Sequence, residues 1–419
     1  MLDIKFIREN LELVREGARK KHIEVDLDTL VALDDKRRAL LSSVEEKRAA
    51  QNKFSNEIAQ APDAAVRMGE MREIKAALEK EEDELRDILR EWQTLMVQVP
   101  NIPDVSVPEG VNEHSNAEIR TWGDKPRFGG VKTKSHIELM QEYDMVDFER
   151  GTKISGFRGY VLKNDGALLN FALWQFVIDF YRAKEFTPMI VPSLLNRAPF
   201  LGTGYLPQGE EDLYKTQDGQ YLAGTAEVAT MGYYMEEILE KEKLPVKLFS
   251  FSSCFRREAG SHGKDTKGLM RVHEFFKFEQ VVLCEASHEE SVKWHEAINR
   301  NAEEMLEQLE IPYRTVINCG GDLGLGQVKK YDIELWIPSE GTYREIGSAS
   351  YFHDFQSRRL NIRYKDAEGK MKFVHSLNST ALPTPRFLIA LIENNQKADG
   401  SIRIPPALQK YFGKEFIAK

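Results

Sequence analysis

The sequence predicts an α+β fold in which an antiparallel coiled-coil helical hairpin precedes a domain built on a mostly antiparallel sheet. Residues 27–99 carry two long helical patterns, with proline only at Pro62 and glycine only at Gly69. A Pro-rich, aperiodic stretch then runs from Val99 to Gly110 and indicates a linker. Beyond it, β-prone runs cluster with helices around them, without regular alternation of strand and helix. We therefore expect two domains, residues 1–103 and 104–419.

The totals restrict the class of protein. A chain of 419 residues with 42% hydrophobic and 30% charged residues is expected to fold as more than one domain. No run of about 18 apolar residues occurs, so no membrane span is predicted. The opening MLDIKFIREN lacks the basic and apolar regions of a secretory signal. We expect a cytoplasmic protein.

The cysteines and the net charge further restrict the kinds of protein that this sequence can be. Cys254, Cys284 and Cys319 have no CxxC spacing, which argues against a zinc ribbon or a disulfide framework and fits a reducing compartment. The net charge of −9 argues against generic coating of nucleic acid. It is still compatible with a local basic surface that binds one RNA.

The N-terminal region begins with one or two short helices over residues 1–25 and continues with the hairpin, residues 27–99. Its apolar stripes consist of Leu30, Leu33, Leu40, Val44, Phe54 and Ile58, then Met71, Ile74, Leu78, Leu85, Ile88, Trp92, Leu95 and Val99. Two narrow stripes joined by a short link at Ala61-Pro62-Asp63 predict an antiparallel coiled coil. The 12 Lys/Arg and 13 Asp/Glu between Lys36 and Glu91 fit either a dimerisation or spacer coiled coil, or an arm that contacts a large partner.

The second region reads as a mixture of helices and strands. Helices are predicted at Ser135–Tyr143, Ala167–Ala183, Ser287–Leu309 and from near Pro385 to Asn394. Strands are predicted at Phe186–Val191, Tyr313–Ile317, Tyr331–Ile337, Tyr343–Ser348 and Asn361–Tyr364. Tyr221–Thr230 is interpreted as a strand that turns into a helix. His288 and His295, seven residues apart on one of these helices, are expected to be solvated.

The stretch Ser250–Gln280 suggests a ligand site. Two aromatic, β-prone runs flank a polar loop, and they carry Arg256, Glu258, Arg271, Phe275 and Glu279. An antiparallel ribbon brings such side chains to one surface, because alternate residues of a strand share a face. Arginines, a carboxylate and a planar ring suit a nucleotide. An ordinary hairpin with a solvated loop is the alternative.

Two further stretches supply groups that a nucleotide site needs. The carboxylate of Glu345, near the end of a predicted strand, could hold Mg²⁺ between phosphates, or could be a surface ion-pair partner. Pro385-Arg386 opens an apolar helix, where an arginine favours an anion. The sequence contains no GxxxxGK[ST] loop, HExxH or GxSxG motif, and Gly320–Gly326 is interpreted as a plain turn. Such a site would work by positioning and electrostatics.

Three stretches, in this order, resemble the motifs of class II aminoacyl-tRNA synthetases. Ala167–Pro192 is similar to motif 1, Arg256–Glu279 to motif 2 and Thr380–Asn394 to motif 3. With the helical hairpin, Thr225-Ala226-Glu227 and the C-terminal ENNQKADGSIRIPPAL, the chain resembles seryl-tRNA synthetases over nearly its full length. The resemblance is to bacterial or organellar members, because no extended tail follows Pro405-Pro406. It implies ATP-dependent activation of L-serine and its transfer to tRNA.

The resemblance also implies the site residues. The implied ATP-binding residues are Arg256, Arg257, Glu258, Arg271, Val272, Phe275, Glu345, Ile346, Gly347, Ser348 and Arg386. The implied serine-binding residues are Thr225, Ala226, Glu227, Arg256, Glu279, Asn378 and Thr380. The implied catalytic residues are Arg256, Glu345 and Arg386. The implied Mg²⁺ ligands are Glu345 and Ser348.

The same resemblance implies partners. The family forms a homodimer through motif 1, and its N-terminal arm recognises tRNA(Ser), with tRNA(Sec) left open as a second substrate. Candidate tRNA contacts on the arm are Arg37, Arg38, Lys47, Lys53, Arg67, Arg72, Lys75 and Lys80. The motif 2 loop, residues 259–270, departs from a strongly basic version, with His262, Lys264 and Lys267, which leaves its contact with the acceptor stem open. We expect this loop to move on ATP or tRNA binding.

Two other functions compete with this interpretation. A related ligase could activate a small amino acid for a carrier protein, but it would have no need for residues 27–99. A coiled-coil interaction protein could retain a degenerate catalytic domain, but Arg256, Arg271, Glu345 and Arg386 are all present. Amino-acid-dependent ATP–pyrophosphate exchange, combined with tRNA charging, distinguishes the three.

Overall fold

The computed structural model describes residues 1–58, 64–130, 132–261 and 263–419, without the side chains of 56–58, 64–68 and 70. The predicted break at residues 61–63, the candidate loop contact His262 and the side chain of Arg67 lie outside this description. The chain divides into two compact units, residues 1–19 with 23–100 and residues 20–22 with 101–419. The predicted boundary at 103/104 remains a prediction.

Four helices make up the N-terminal region. They are α1 (Ile4–Glu9), α2 (Leu11–Lys20), α3 (Leu27–Ile58) and α4 (Ala64–Met96). The long helices α3 and α4 pack on each other through Val44, Leu78 and Leu85, all buried. The predicted helical hairpin is thereby confirmed, since these residues belong to the two predicted stripes.

Polar pairs complete the seam between α3 and α4. Glu81 accepts hydrogen bonds from Lys47 Nζ at 2.5 Å and from Ser43 Oγ at 2.8 Å. Nearer the base of the hairpin, the Arg37 guanidinium lies 4.9 Å from the ring centroid of Trp92. Charged pairs within a mainly apolar seam favour a single register of the two helices.

The second unit contains nine further helices and eighteen strands among the described residues. The helices are α5 (His136–Glu142), α6 (Phe148–Ser155), α7 (Asn164–Ala183), α8 (Arg197–Thr203), α9 (Ala226–Gly232), α10 (His288–Gln308), α11 (Phe355–Leu360), α12 (Arg386–Asn394) and α13 (Pro406–Phe412). The strands are β1 (Ala117–Trp122), β2 (Val146–Asp147), β3 (Val161–Leu162), β4 (Thr187–Ile190), β5 (Leu194–Leu195), β6 (Tyr214–Lys215), β7 (Tyr221–Leu222), β8 (Ile238–Leu239), β9 (Val246–Phe255), β10 (Glu274–Cys284), β11 (Tyr313–Ile317), β12 (Lys329–Ile337), β13 (Thr342–Tyr351), β14 (Arg363–Lys365), β15 (Met371–Phe373), β16 (His375–Thr384), β17 (Ile402–Arg403) and β18 (Phe416–Ile417).

An eight-stranded sheet organises this unit, in the order β1-β11-β12-β13-β16-β10-β9-β4. Every neighbouring pair is antiparallel except β4 and β9, which are parallel. The mostly antiparallel sheet of the predicted fold class is therefore confirmed. The strands β10 and β16 lie in its middle, with β9 and β13 on either side.

One face of β10 packs into the main core. Phe278 stacks on Phe249 of β9 at 4.9 Å between ring centroids, and Phe249 stacks on Tyr181 of α7 at 4.6 Å. The side chains of Phe275, Lys277 and Glu279 lie on the opposite face, because successive residues of a strand alternate. Packing of Phe278 in the core thus fixes which residues of β10 lie on the face opposite to the core.

The helix α10 corrects one expectation. His288 is exposed as predicted, but His295 is 1% exposed, and its Nε2 lies 2.9 Å from the Ala349 carbonyl oxygen. The prediction for His295 was wrong because α10 packs on β13 and β16, which covers this part of the helix. Burial lowers the pKa of His295 to about 4.

The state of the cysteines agrees with the sequence analysis. The three cysteines are free and buried, as small apolar residues commonly are. Within the described residues, no helix combines the length and the apolar character needed to cross a lipid bilayer.

Candidate active site

A cavity of about 130 Å³ opens on the face of β10 opposite to the core. Its walls come from β10, β13 and β16, from α9 and from the chain on both sides of the motif 2 loop. It is lined by thirteen of the predicted site residues: Glu227, Arg256, Glu258, Val272, Phe275, Glu279, Glu345, Ile346, Gly347, Ser348, Asn378, Thr380 and Arg386. Residues separated by up to 159 positions in the chain are thus brought to one cavity.

Strand register explains this convergence. Glu279 of β10 lies opposite Thr380 of β16, and Val281 lies opposite Asn378. The side chains of Thr380 and Asn378 therefore flank Glu279 on one face of the sheet. Asn378 Nδ2 donates to Glu279 Oε1 at 3.0 Å.

A β-bulge places Glu345 and Ser348 on the same face of β13. Glu345 pairs with Glu334 and Gly347 pairs with Ile333, so Ile346 has no partner of its own. The extra residue reverses the alternation of side chains. Gly347 is required here, because a Cβ at this position would lie 2.6 Å from the Cβ of Thr380.

One end of the cavity is acidic. Glu227 and Glu279 are buried, with 3% and 0% exposure, and Thr225 Oγ1 donates to Glu279 Oε2 at 3.3 Å. Thr225 also caps α9, where its Oγ1 accepts from the backbone N–H of Glu227. Ala226 is buried beside them and does not line the cavity. This end suits a group that is cationic and donates hydrogen bonds.

The other end is basic. Arg256 Nε donates to the Gly224 carbonyl, and its guanidinium lies 5.3 Å from the Phe275 ring centroid. Arg386 Nη1 donates to the Glu345 carbonyl at 3.0 Å and Nε donates to that of Met270 at 3.0 Å. Burial lowers the pKa of Arg386. Guanidinium groups at this end suit phosphate or carboxylate oxygens.

A second, polar cavity of about 600 Å³ adjoins this basic end. Glu345, Met270 and Arg386 line both cavities, and Arg271 lines only the second. Arg271 Nη1 donates to Glu258 Oε2 at 2.5 Å. Burial opposes it, but Glu258 and Asp265 together raise the pKa of Arg271. The predicted phosphate-binding arginines thus extend over two connected spaces.

Four predicted residues, Thr225, Ala226, Arg257 and Arg271, do not line the cavity on β10, and the side chain of Arg257 is bonded away from it. Arg257 Nη1 donates to the Glu211 carbonyl at 3.0 Å, and its backbone N–H donates to the Asp212 carbonyl. Its side chain does not line the cavity.

The sequence analysis missed three polar residues of the acidic end. Lys277 lies next to Glu279 and forms an ion pair with it. Tyr205 OH donates to Glu227 Oε2 at 3.0 Å, and Gln356 Nε2 donates to Glu227 Oε1 at 2.7 Å. Alternation along β10 was a signal for Lys277, which lies between Phe275 and Glu279 on the same face. No local pattern marked Tyr205 or Gln356.

Family models match both parts of the chain. Residues 1–103 match the seryl-tRNA synthetase N-terminal domain. Residues 213–395 match the tRNA synthetase class II core domain (G, H, P, S and T).

Individual relatives match over the full length. The serine–tRNA ligase of Deinococcus radiodurans is 43% identical, over 99% of this chain and 98% of its own. The crystal structure of seryl-tRNA synthetase from Pyrococcus horikoshii complexed with ATP is 39% identical, with a TM-score of 0.90 over 100% of this chain and 99% of its own. The cytoplasmic serine–tRNA ligase of Naegleria fowleri, in complex with AMP, is 32% identical, with a TM-score of 0.88 over 100% and 98%.

The buried carboxylate of Glu227 gives a test of the site electrostatics. Burial and the charge of Glu279 raise the pKa of Glu227 to about 7. A carboxyl group with a raised pKa stabilises the fold below its unfolded pKa and loses that contribution as pH rises through about 7. We therefore expect Glu227→Gln to gain about 1–3 kcal/mol in free energy of unfolding, relative to the unsubstituted protein, between pH 5 and pH 8.

Urea unfolding of both proteins at several pH values measures this difference. Glu149→Gln, which changes an exposed carboxylate on α6, is the control and should follow the unsubstituted protein. A difference between Glu227→Gln and the unsubstituted protein that does not change with pH would contradict the assignment.

Proposed function

The chain belongs to the seryl-tRNA synthetase family, and we propose that the cavity on β10 is where it joins serine to ATP. The protein is a class II serine–tRNA ligase, which activates serine and charges tRNA(Ser). The observation that carries the proposed location is the meeting of an acidic end, Glu227 and Glu279, with a basic end, Arg256 and Arg386, in one cavity. The ammonium group of a zwitterionic amino acid needs the acidic end, and its carboxylate and the triphosphate need the basic end.

Serine is proposed to bind at the acidic end. Glu227 and the Thr225 region take the α-ammonium group, and Glu279 with Thr380 binds the side-chain hydroxyl. Asn378 supports this pocket through its hydrogen bond to Glu279. A pocket built to bond a hydroxyl disfavours alanine strongly, since alanine would leave buried polar groups unpaired.

ATP is proposed to bind across the basic end. Arg256 holds the α-phosphate and the serine carboxylate, because a planar guanidinium forms paired hydrogen bonds to such oxygens. Glu258 accepts from the adenine amino group, and Phe275 and Arg386 take the two faces of the ring. Val272, Ile346 and Gly347 complete the walls beside the nucleotide. Arg271 and Arg386 are placed to hold the outer phosphates.

The proposed reaction depends on the positions of the two substrates and on the charges of the arginines around them. The serine carboxylate attacks the α-phosphorus of ATP in line, pyrophosphate leaves, and seryl-adenylate stays bound. The hydroxyl of the terminal adenosine of tRNA then attacks the acyl carbon, and AMP leaves. Arginines aimed at the phosphoryl oxygens stabilise the charge that develops there.

Glu345 and Ser348 are the proposed Mg²⁺ ligands. Both offer hard oxygen donors, and the bulge at Ile346 puts them on one face, so the donor set fits the ion. Among the described residues, no group of three or more His, Cys, Asp or Glu could hold a metal. Phosphate oxygens of ATP would therefore complete the shell, as Mg²⁺ commonly requires. When bound, the ion would neutralise phosphate charge.

Glu345→Gln should then need more Mg²⁺ than the unsubstituted enzyme for half-maximal serine-dependent ATP–pyrophosphate exchange.

The N-terminal arm, residues 1–103, is proposed to bind the tRNA. Contacts to backbone and shape, rather than to base edges, would let it accept tRNA(Ser) and also tRNA(Sec). Arg72, Lys75 and Lys80 are exposed on α4. Lys47 is instead engaged in the seam with Glu81, which makes it a weaker candidate.

A homodimer through α7 and β4 is proposed on the exposed apolar surface there. One side of α7 is in the core, yet Leu168 and Phe171 on its other side are 52% and 54% exposed. Ile190 of the edge strand β4 is 87% exposed, and Pro192 follows that strand. Clustered apolar residues of this kind mark protein interfaces.

We propose the cytoplasm as the compartment, which fractionation of the native host would test.

Arg256→Ala tests the nucleotide end. Loss of the guanidinium should reduce serine-dependent ATP–pyrophosphate exchange by about 10³-fold, because a group that stabilises the transition-state charge is removed. Arg150→Ala, an arginine exposed on α6, is the control and should retain the exchange rate. Near-normal exchange in Arg256→Ala would show that the assignment is wrong.

Replacement of Lys36–Glu91 by a short glycine linker tests the arm. The contact between Arg37 and Trp92 shows that the two ends to be joined lie side by side. We expect exchange to persist, because the cavity residues are untouched, and charging of tRNA(Ser) and tRNA(Sec) to fall by about 10² or more. Charging of either tRNA at the original rate would contradict the role of the arm for that tRNA.

Phe171→Glu tests the proposed dimer. A charge on an apolar interface should shift the protein from dimer to monomer in sedimentation velocity. Val105→Glu, at a residue 98% exposed elsewhere, is the matched control and should sediment as the unsubstituted protein does. If Phe171→Glu leaves the sedimentation coefficient unchanged, the interface is elsewhere.

A further inference from the structure

The acidic end of the cavity contains two buried carboxylates whose surroundings differ. Glu279 and Glu227 are 0% and 3% exposed, and the charge of Glu279 raises the electrostatic cost of charging Glu227. Two like charges in a desolvated site cannot both persist without a compensating cation. The arrangement of donors around each carboxylate therefore decides what each can bind.

Lys277 provides Glu279 with a permanent counter-ion. Lys277 is 6% exposed, lies two residues away on the same face of β10, and forms an ion pair with Glu279 Oε2. Thr225 Oγ1 donates to that oxygen, and Asn378 Nδ2 donates to Oε1. Three donors on one carboxylate hold it in a fixed orientation.

The donors to Glu227 among the described residues are neutral. Gln356 Nε2 and Tyr205 OH donate to its two oxygens at 2.7 and 3.0 Å. Gln356 is itself oriented, because its Oε1 accepts from Ser376 Oγ at 2.7 Å. The groups that act on Glu227 are thus Glu279, Lys277, Gln356 and Tyr205, with one cation among them.

The charges of this end do not balance. Among the side chains that act on Glu227, two carboxylates and one ammonium leave one negative charge, and the neutral donors to Glu227 locate it there. Arg256, whose charge acts on Tyr205, donates to the Gly224 carbonyl and is proposed to hold the serine carboxylate and the α-phosphate. A substrate ammonium group supplies the one missing positive charge. A substrate hydroxyl, which adds no charge, is what the compensated Glu279 can accept.

We propose that Lys277 is a specificity-determining positioning residue, which acts as the permanent counter-ion of Glu279 and thereby assigns different tasks to the two carboxylates. With Lys277 in place, Glu279 accepts from the serine hydroxyl and Glu227 takes the α-ammonium. Lys277 acts through Glu279, not on the reacting atoms. The inference rests on the proposed location of serine in this cavity.

The pH dependence of serine activation follows from this arrangement. Burial and Glu279 raise the pKa of Glu227 to about 7, and Lys277 opposes the rise. Protonated Glu227 cannot pair with an ammonium group, so kcat/KM for serine should fall as pH falls through about 7. Without Lys277, the same fall should occur at a pH about one unit or more higher.

Lys277→Met tests the proposal by ATP–pyrophosphate exchange between pH 6 and pH 8.5, with serine and with alanine. We expect the pH at which kcat/KM for serine falls to half its maximum, the pH midpoint, to rise. At pH 7.5, KM for serine should increase about tenfold, whereas KM for ATP should stay within about twofold of the unsubstituted enzyme's value. The ratio of kcat/KM for serine to that for alanine should fall about tenfold or more. Lys247→Met, on the adjacent strand with its Nζ bonded to the Lys184 carbonyl, is the control and should match the unsubstituted enzyme.

A double variant separates the electrostatic role from a merely structural one. Lys277→Met leaves an unpaired buried carboxylate that could impair folding, whereas Lys277→Met with Glu279→Gln removes both charges. We expect the double variant to return the pH midpoint to that of the unsubstituted enzyme, with the serine-to-alanine ratio still reduced. An unshifted midpoint in Lys277→Met, or an equally shifted midpoint in the double variant, would overturn the proposal. Absence of serine exchange in the unsubstituted enzyme would instead refute the proposed function.

Discussion

The register between β9, β10, β16 and β13 is the constraint on which the site depends. Phe249 and Phe278 pack into the core on one face of the sheet, and this packing forces Phe275, Lys277 and Glu279 to the other. A slip of one residue would exchange the two sets. Burial of aromatic rings therefore fixes the position of the polar groups that are proposed to bind substrate.

Departures from regular strand geometry complete the arrangement. The bulge at Ile346 brings Glu345 and Ser348 to the same face, and a second irregularity lies opposite Phe278 and Glu279. Gly347 permits β13 to pass close to Thr380. The cavity thus combines a rigid sheet with local exceptions that aim particular side chains. Local exceptions of this kind are common beside active sites.

Charge is divided along the cavity in a way that suits a zwitterion and a triphosphate. Buried carboxylates lie at one end and arginines at the other, and each group is held by hydrogen bonds to its own surroundings. Such preorganised charge needs little rearrangement during the reaction. The helical hairpin also combines apolar packing with charge, since the pair of Lys47 and Glu81 lies in its mainly apolar seam.

The sequence by itself determined the elements that depend on local pattern: the two helical stripes, the ribbon around the motif 2 loop, the helix that begins at Arg386, and the order of motifs that indicates the family. Periodicity and motif spacing are properties of neighbouring residues, so they can be read directly. The tertiary structure alone decided that Gln356 and Tyr205 hold Glu227, that Arg257 points away from the cavity, and that His295 is buried. These facts depend on contacts between distant segments, which only the packing of the folded chain creates.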